Sequence, residues 1–203
     1  MAHFRPGRLN AKSTLLMLCD VQTRFSEVVS FFPSVSFVAN RMVRASTILD
    51  LPVIATEQNP LRLGATVPEV GLDELVTSGR ASVYPKTKFS MMIPEVVRDL
   101  ERMKPKSVVV FGLEAHVCVQ QTVLDLLARG DVEVHVLTDG TSSQRTFDRQ
   151  TAFERMKQAG AFLTTSESAL FDMLENSADN PHFKPISNLC KQLPPDTGIP
   201  FQK

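Results

Sequence analysis

Hydrophobic and polar positions along this chain recur with two different periods. Residues 14–19 form an unbroken apolar run closed by Asp20, the pattern of a strand buried on both faces. Over 34–49, Val35, Val38, Met42, Val43, Ala45 and Ile48 recur mostly at spacings of three and four, which predicts a helix. A second strand is expected over 52–56 and a short third one over 81–84. Residues 93–103 read as a helix with Pro94 tolerated in its first turn. Another apolar strand follows over 107–112, then a helix over 120–129 that Gly130 stops. The remaining elements are an alternating strand over 132–137, a helix over 150–158, a sixth strand over 161–164 and a helix over 167–174.

Strands that alternate with helices pair in parallel through right-handed crossovers. The expected fold class is therefore α/β: a three-layer α/β/α sandwich around a mostly parallel six-stranded sheet. It divides the chain into an N-terminal extension (1–13), one domain (14–175) and a C-terminal tail (176–203). The tail is polar and holds Pro181, Pro185, Pro194, Pro195 and Pro200, so it is expected to wrap the surface or a neighbouring subunit.

A chain of 203 residues with 43% hydrophobic side chains can bury a real core, which excludes disorder as the dominant state. Its 22 basic and 22 acidic residues cancel, so there is no charge excess to favour nucleic acid as a partner. No apolar run is long enough to span a membrane. Three cysteines, Cys19, Cys118 and Cys190, make no disulfide framework and fit a reducing compartment, the cytoplasm. Arg5, Arg8 and Lys12, with no acid before residue 14, leave mitochondrial import as the alternative to a frayed terminus.

In open parallel sheets ligands gather beyond the carboxyl ends of the strands, near the point where strand order reverses. Asp20, Lys86 and Cys118 all follow such ends. A thiol between a buried strand and a helix N-terminus, near a lysine, is disposed to ionise, and a neighbouring carboxylate can move its proton. Each residue has a plainer reading: Cys118 as a small core filler, Asp20 as a turn residue, a solvated lysine. Spacing alone does not choose between Lys86 and Lys88.

Three segments carry a resemblance: Asp20-Val21-Gln22-Thr23-Arg24-Phe25, Lys86-Thr87-Lys88-Phe89-Ser90, and Gly112-Leu113-Glu114-Ala115-His116-Val117-Cys118-Val119. In this order, on these strand ends, the chain resembles the isochorismatase-like cysteine hydrolases over about 14–174. Residues 55–60 and 180–187 are similar to the branch of small isochorismatase-domain proteins. The resemblance implies Asp20 as general base, Cys118 as nucleophile and Lys86, which precedes the Phe-Ser pair, as the third member of a triad. It implies a cis peptide within 114–117 that helps aim the backbone amides of Glu114 and Cys118 into an oxyanion hole. Gln22, Phe25, Glu57 and Ser90 are the candidate substrate contacts. Where metal-dependent relatives carry an Asp-x-His pair, this chain reads Thr56-Glu57-Gln58-Asn59, so neither metal nor other cofactor is expected.

The function that follows is hydrolysis of a C–N bond in a small amide-like metabolite through a thioester-type intermediate on Cys118. The partner is then a small-molecule substrate, with no nucleic acid or membrane, and the chain assembles as a homo-oligomer, dimer or tetramer. The alternative is a catalytically silent member of the fold that serves as an interaction module. A redox thiol has less support, since Cys118 has no resolving cysteine nearby in sequence.

Overall fold

The structure is a computed structural model that describes residues 7–195. Six strands, β1 (Thr14–Cys19), β2 (Val53–Gln58), β3 (Ala81–Lys86), β4 (Ser107–Leu113), β5 (Glu133–Ser142) and β6 (Phe162–Thr164), form one sheet in the order β3-β2-β1-β4-β5-β6. Every neighbouring pair is parallel. Eight helices accompany the sheet: α1 (Phe32–Leu49), α2 (Pro60–Leu63), α3 (Asp73–Thr77), α4 (Pro94–Met103), α5 (Gln120–Arg129), α6 (Thr146–Gln158), α7 (Ser166–Leu174) and α8 (Phe183–Cys190). The expected α/β/α sandwich is the observed fold, and its sheet is parallel throughout.

Strand alternation sorts the core into two layers. Leu16 and Leu18 of β1 pack with Val109 and Phe111 of β4 under α1, α7 and α8. Leu15, Met17 and Cys19 point the other way and meet Val108 and Val110 beneath α4, α5 and α6. Because β1 is flanked by β2 and β4, strand order reverses between β1 and β4, and their carboxyl ends border a crevice. The two strands crowd together there. A Cβ on Gly112 (φ +120°) would lie 2.1 Å from the Cys19 carbonyl oxygen, so only glycine fits.

Several elements depart from what their local pattern predicts. β3 continues through Pro85 to Lys86, because an edge strand tolerates a residue without an N–H. β5 passes an irregularity in its register with β4 and runs on to Ser142. Arg149, buried in α6, donates to the carbonyls of Thr138 and Thr141 and so braces the part of β5 where the register shifts. Inside the polar tail, 183–190 is helical. Pro185 falls in the first turn of α8, where no intrahelical N–H is needed, and Ile186, Leu189 and Cys190 are buried against the α1 layer. Leu9 is buried as well, and its N–H donates to Asp172, which ties the end of the N-terminal segment to α7.

His135 of β5 is buried, stacked on Phe162 at 5.1 Å, and its Nε2 meets no hydrogen-bond partner. Burial pushes its pKa down to about 4, against a small opposing pull from Asp172. Between about pH 4 and pH 6.5 the unfolded chain therefore binds a proton that the folded chain refuses, so stability falls as pH drops through that window. The loss reaches about 3 kcal/mol at most by pH 4. His135→Phe should flatten this part of the pH dependence, measured as urea midpoints between pH 4 and pH 7. An unchanged slope would mean that His135 is not the titrating group.

Candidate active site

Asp20 sits one residue beyond β1 in the left-handed region (φ +51°), which an aspartate tolerates better than most residues. The turn directs its carboxylate into the crevice, where it is fully buried. Oδ1 accepts from the Thr56 hydroxyl at 2.7 Å and Oδ2 accepts from Lys86 Nζ at 2.7 Å. Both partners come from strands that follow β1 outward in the sheet: Thr56 from β2, Lys86 from the end of β3.

The Lys86 side chain is also shut away from water. Its ammonium donates to Gln58 Oε1 at 2.7 Å, to the Phe89 carbonyl at 2.8 Å and to the Lys88 carbonyl at 3.2 Å, besides Asp20. Burial alone would lower its pKa. The charge of Asp20 and the hydrogen bond to it outweigh burial and hold it above the ordinary lysine value, so it stays an ammonium at neutral pH. Lys88, in contrast, is half-exposed and reaches out to Asp125 and the Met92 carbonyl. Of the two lysines, only Lys86 enters the crevice.

Cys118 lies where β4 gives way to α5, in a single turn of π-helix over Ala115–Val119. A cis peptide joins Leu113 to Glu114 immediately before it. The cis bond thus stands one residue earlier than 114–117, at the last residue of β4. The Glu114 carbonyl accepts from Val117 and Val119, passing over the Cys118 amide between them. Cys118 is 5% exposed, whereas Cys19 is 0% exposed. Its carbonyl accepts from Thr122 at 2.6 Å, and the Thr122 hydroxyl in turn accepts from the Met91 N–H at 2.8 Å. One buried threonine therefore couples the cysteine turn to the loop that wraps Lys86.

The four candidate substrate contacts each have structural partners in the fold. Gln22 is fully buried. Its amide donates to the carbonyls of Gln58 and Gly64 and accepts from the Gln58 N–H, pinning β2 beside Asp20. Glu57 holds the Thr66 N–H and hydroxyl. Ser90, also buried, accepts from the Met92 N–H and shapes the Lys86 loop. Phe25 packs, partly buried, against the α1 layer. Thr56, Gln58 and Thr122 were not singled out by sequence, because a lone threonine or glutamine on a strand or helix carries no motif. His116 bonds through Nδ1 to Ser143 at 2.9 Å. Among the described residues no group of three or more His, Cys, Asp or Glu side chains is arranged to hold a metal, and no helix is long and apolar enough to cross a membrane.

Comparison with known proteins places this geometry in context. Residues 14–168 match the model of the isochorismatase domain. The chain is 43% identical to isochorismatase domain-containing protein 2 of Xenopus laevis, over 96% of this chain and 92% of that protein. It is 45% identical to the secreted isochorismatase effector Isc1 of Phytophthora sojae, over 93% of this chain and 89% of that one. Among solved structures, the MAR1 ribonuclease of Caenorhabditis elegans superposes with a TM-score of 0.85 at 41% identity, covering 97% of this chain and 99% of that one.

Removing one partner of a buried, hydrogen-bonded charge pair is costly. Lys86→Met should therefore destabilise the fold by about 3 kcal/mol or more, against about 1–2 kcal/mol for Thr56→Val, read from urea unfolding at pH 7. Near-neutral effects of Lys86→Met would show that the pair is not structurally required. Iodoacetamide should modify Cys118 well before Cys19, whose thiol burial pushes upward in pKa. Mass-spectrometric rates settle the order, and equal rates would count against a selectively reactive Cys118.

Proposed function

The chain belongs to the isochorismatase family, and from that premise we propose that it is a cysteine hydrolase cutting the C–N bond of a small amide-like metabolite. The family and its fold support a hydrolase. The observation that carries the finer reading is the convergence of Asp20, Lys86 and Cys118 on one crevice at the β1–β4 switch point.

Cys118 attacks the substrate carbonyl carbon as its proton passes to Asp20. The C–N bond then breaks as Asp20 returns that proton to the departing nitrogen, leaving a thioester on Cys118. Water, deprotonated by Asp20, attacks the thioester and regenerates the thiol. Lys86 plays a fixed electrostatic part: with four oxygens around three N–H bonds it has no hydrogen to spare for substrate, and it balances the negative charge on Asp20 and the cysteine. The Cys118 amide that Glu114 passes over is one donor to the tetrahedral oxyanion, and the Glu114 amide is the second. No step calls for a metal. The end of β2 is engaged otherwise, Glu57 with Thr66 and Gln58 with Lys86.

We also expect the chain to act as a homo-oligomer. Leu61, Phe89 and Phe147 are exposed large apolar residues in the segments that follow β2, β3 and β5, so they crowd the edge of the sheet that holds the crevice. The interaction-module alternative loses support from the buried Asp20–Lys86 pair, which a mere docking surface would not need. The relative called a ribonuclease raises RNA as a substrate, but here 22 basic and 22 acidic residues leave no basic excess to hold a polyanion.

A panel of small amides and ureido acids, with a short single-stranded RNA included, tests the proposal. At least one amide should turn over, and Cys118→Ala should abolish that turnover. Cys118→Ser should retain only a trace, and Asp20→Asn should lose a comparable factor, roughly 10³-fold or more, because the residues act as one unit. Activity should survive exhaustive chelation. RNA cleavage that needs Cys118, or amide activity lost to EDTA and restored by zinc, would replace this mechanism with another.

A further inference from the structure

Cys118 has a second thiol beside it. Cys19 is the last residue of β1 and pairs in register with Gly112 of β4, the strand that leads into the Cys118 turn. Its side chain points into the layer beneath α5, the same layer that holds Cys118. Negative charge on Cys118 bears on Cys19, and Lys86 bears on both thiols. They are distant in sequence and adjacent in space because the switch point brings β1 and β4 together. Cys190, by contrast, lies in α8 on the opposite side of the sheet.

We infer that Cys19 is a resolving cysteine for Cys118, so that a hydroperoxide converts the pair to a reversible disulfide that silences the site. The inference rests on the proposed function in one respect, that Cys118 is the thiol that reacts first. The Cys118 thiolate attacks the distal oxygen of the peroxide. The O–O bond breaks, and the departing oxygen takes up the proton that Cys118 gave to Asp20. The peroxide is thereby reduced by two electrons to an alcohol or water, and sulfur becomes a sulfenic acid. The Cys19 thiol, losing its proton to the adjacent Asp20, attacks that sulfur. An S–S bond forms, the S–OH bond breaks, and hydroxide takes up the proton to leave as water.

The layout suits this sequence of events. Cys118, with its small exposed area, is the thiol a peroxide reaches, and fully buried Cys19 can react only with what Cys118 has become. Burial and the Asp20 charge keep Cys19 protonated in the resting state, so hydrolysis proceeds beside it undisturbed. Once formed, the bond removes the nucleophile and spares it from oxidation to sulfinic acid, which is irreversible for most proteins.

Hydrogen peroxide on the reduced full chain, followed by peptide mapping under non-reducing conditions, tests the inference. Wild type should lose about 2 Da and yield one linked peptide joining Cys19 to Cys118, with Cys118 alkylation lost and then restored by dithiothreitol. Cys19→Ser and Cys19→Ala, checked for folding by circular dichroism, should instead carry Cys118 to sulfinic acid, with recovery by dithiothreitol reduced at least about tenfold. If Cys118 alkylates readily but wild type over-oxidises as fast as the variants with no linked peptide, this inference falls and the hydrolase stands. If Cys118 neither alkylates nor oxidises, both fall. A link through Cys190 would also overturn the assignment.

Discussion

Lys86 and Asp20 are both removed from water, and taking a single such ion out of water costs several kcal/mol. Their mutual attraction offsets this only because the remaining hydrogen-bonding capacity of each is met. Thr56 completes the carboxylate, while Gln58 and two carbonyls of the following loop complete the ammonium. Most of the local architecture serves that requirement. Gln22 pins the end of β2 so that Thr56 and Gln58 face inward, and Ser90 and Thr122 fold the loop after β3 around the ammonium. The pair is thus a poor source of stability and a strong source of order, because any arrangement that breaks it strands a buried charge.

The position of the pair follows from topology. Parallel strands deliver their carboxyl ends to one edge of the sheet, and the reversal between β1 and β4 opens the only gap where a side chain from β1 can face the turn after β4. Gly112 lets the two strands close up at that gap, so residues at the ends of β1 and β4 come within reach of each other. Without that approach, Asp20 and Cys118 would belong to separate environments.

Much of this was legible in the residues. Six strands and the main helices follow from hydrophobic period, and Asp20, Lys86 and Cys118 lie on three recognisable segments. What escaped had specific physical causes. Pro85 reads as a breaker unless β3 is known to be an edge strand, and α8 hides behind prolines that fall in a harmless first turn. The run of β5 to Ser142 depends on Arg149, which approaches from another element. The supporting residues Thr56, Gln58 and Thr122 were invisible for the same reason: their significance lies wholly in contacts across strands. Gln22 and Glu57 also hold backbone of other segments, which no local pattern announces. Nearness in sequence misled at Cys118, where the neighbouring thiol comes from β1.

A single backbone angle unites these features. In a continuing strand, Cys19 and Asp20 would face opposite sides of the sheet and could not both bear on one site. The left-handed conformation at Asp20 ends the alternation there. Cys19 keeps its place in the layer beneath α5, while Asp20 turns into the crevice to meet Thr56 and Lys86. That conformation costs a non-glycine residue roughly 1–2 kcal/mol, less for aspartate, and the hydrogen bonds to its carboxylate are what hold it in place. The consequence is that one buried carboxylate lies at the end of the sheet that also carries Cys19 and the Cys118 turn. The charges of Asp20 and Lys86 therefore bear on Cys19 as well as on the turn that carries Cys118, and a change at either residue must be felt there.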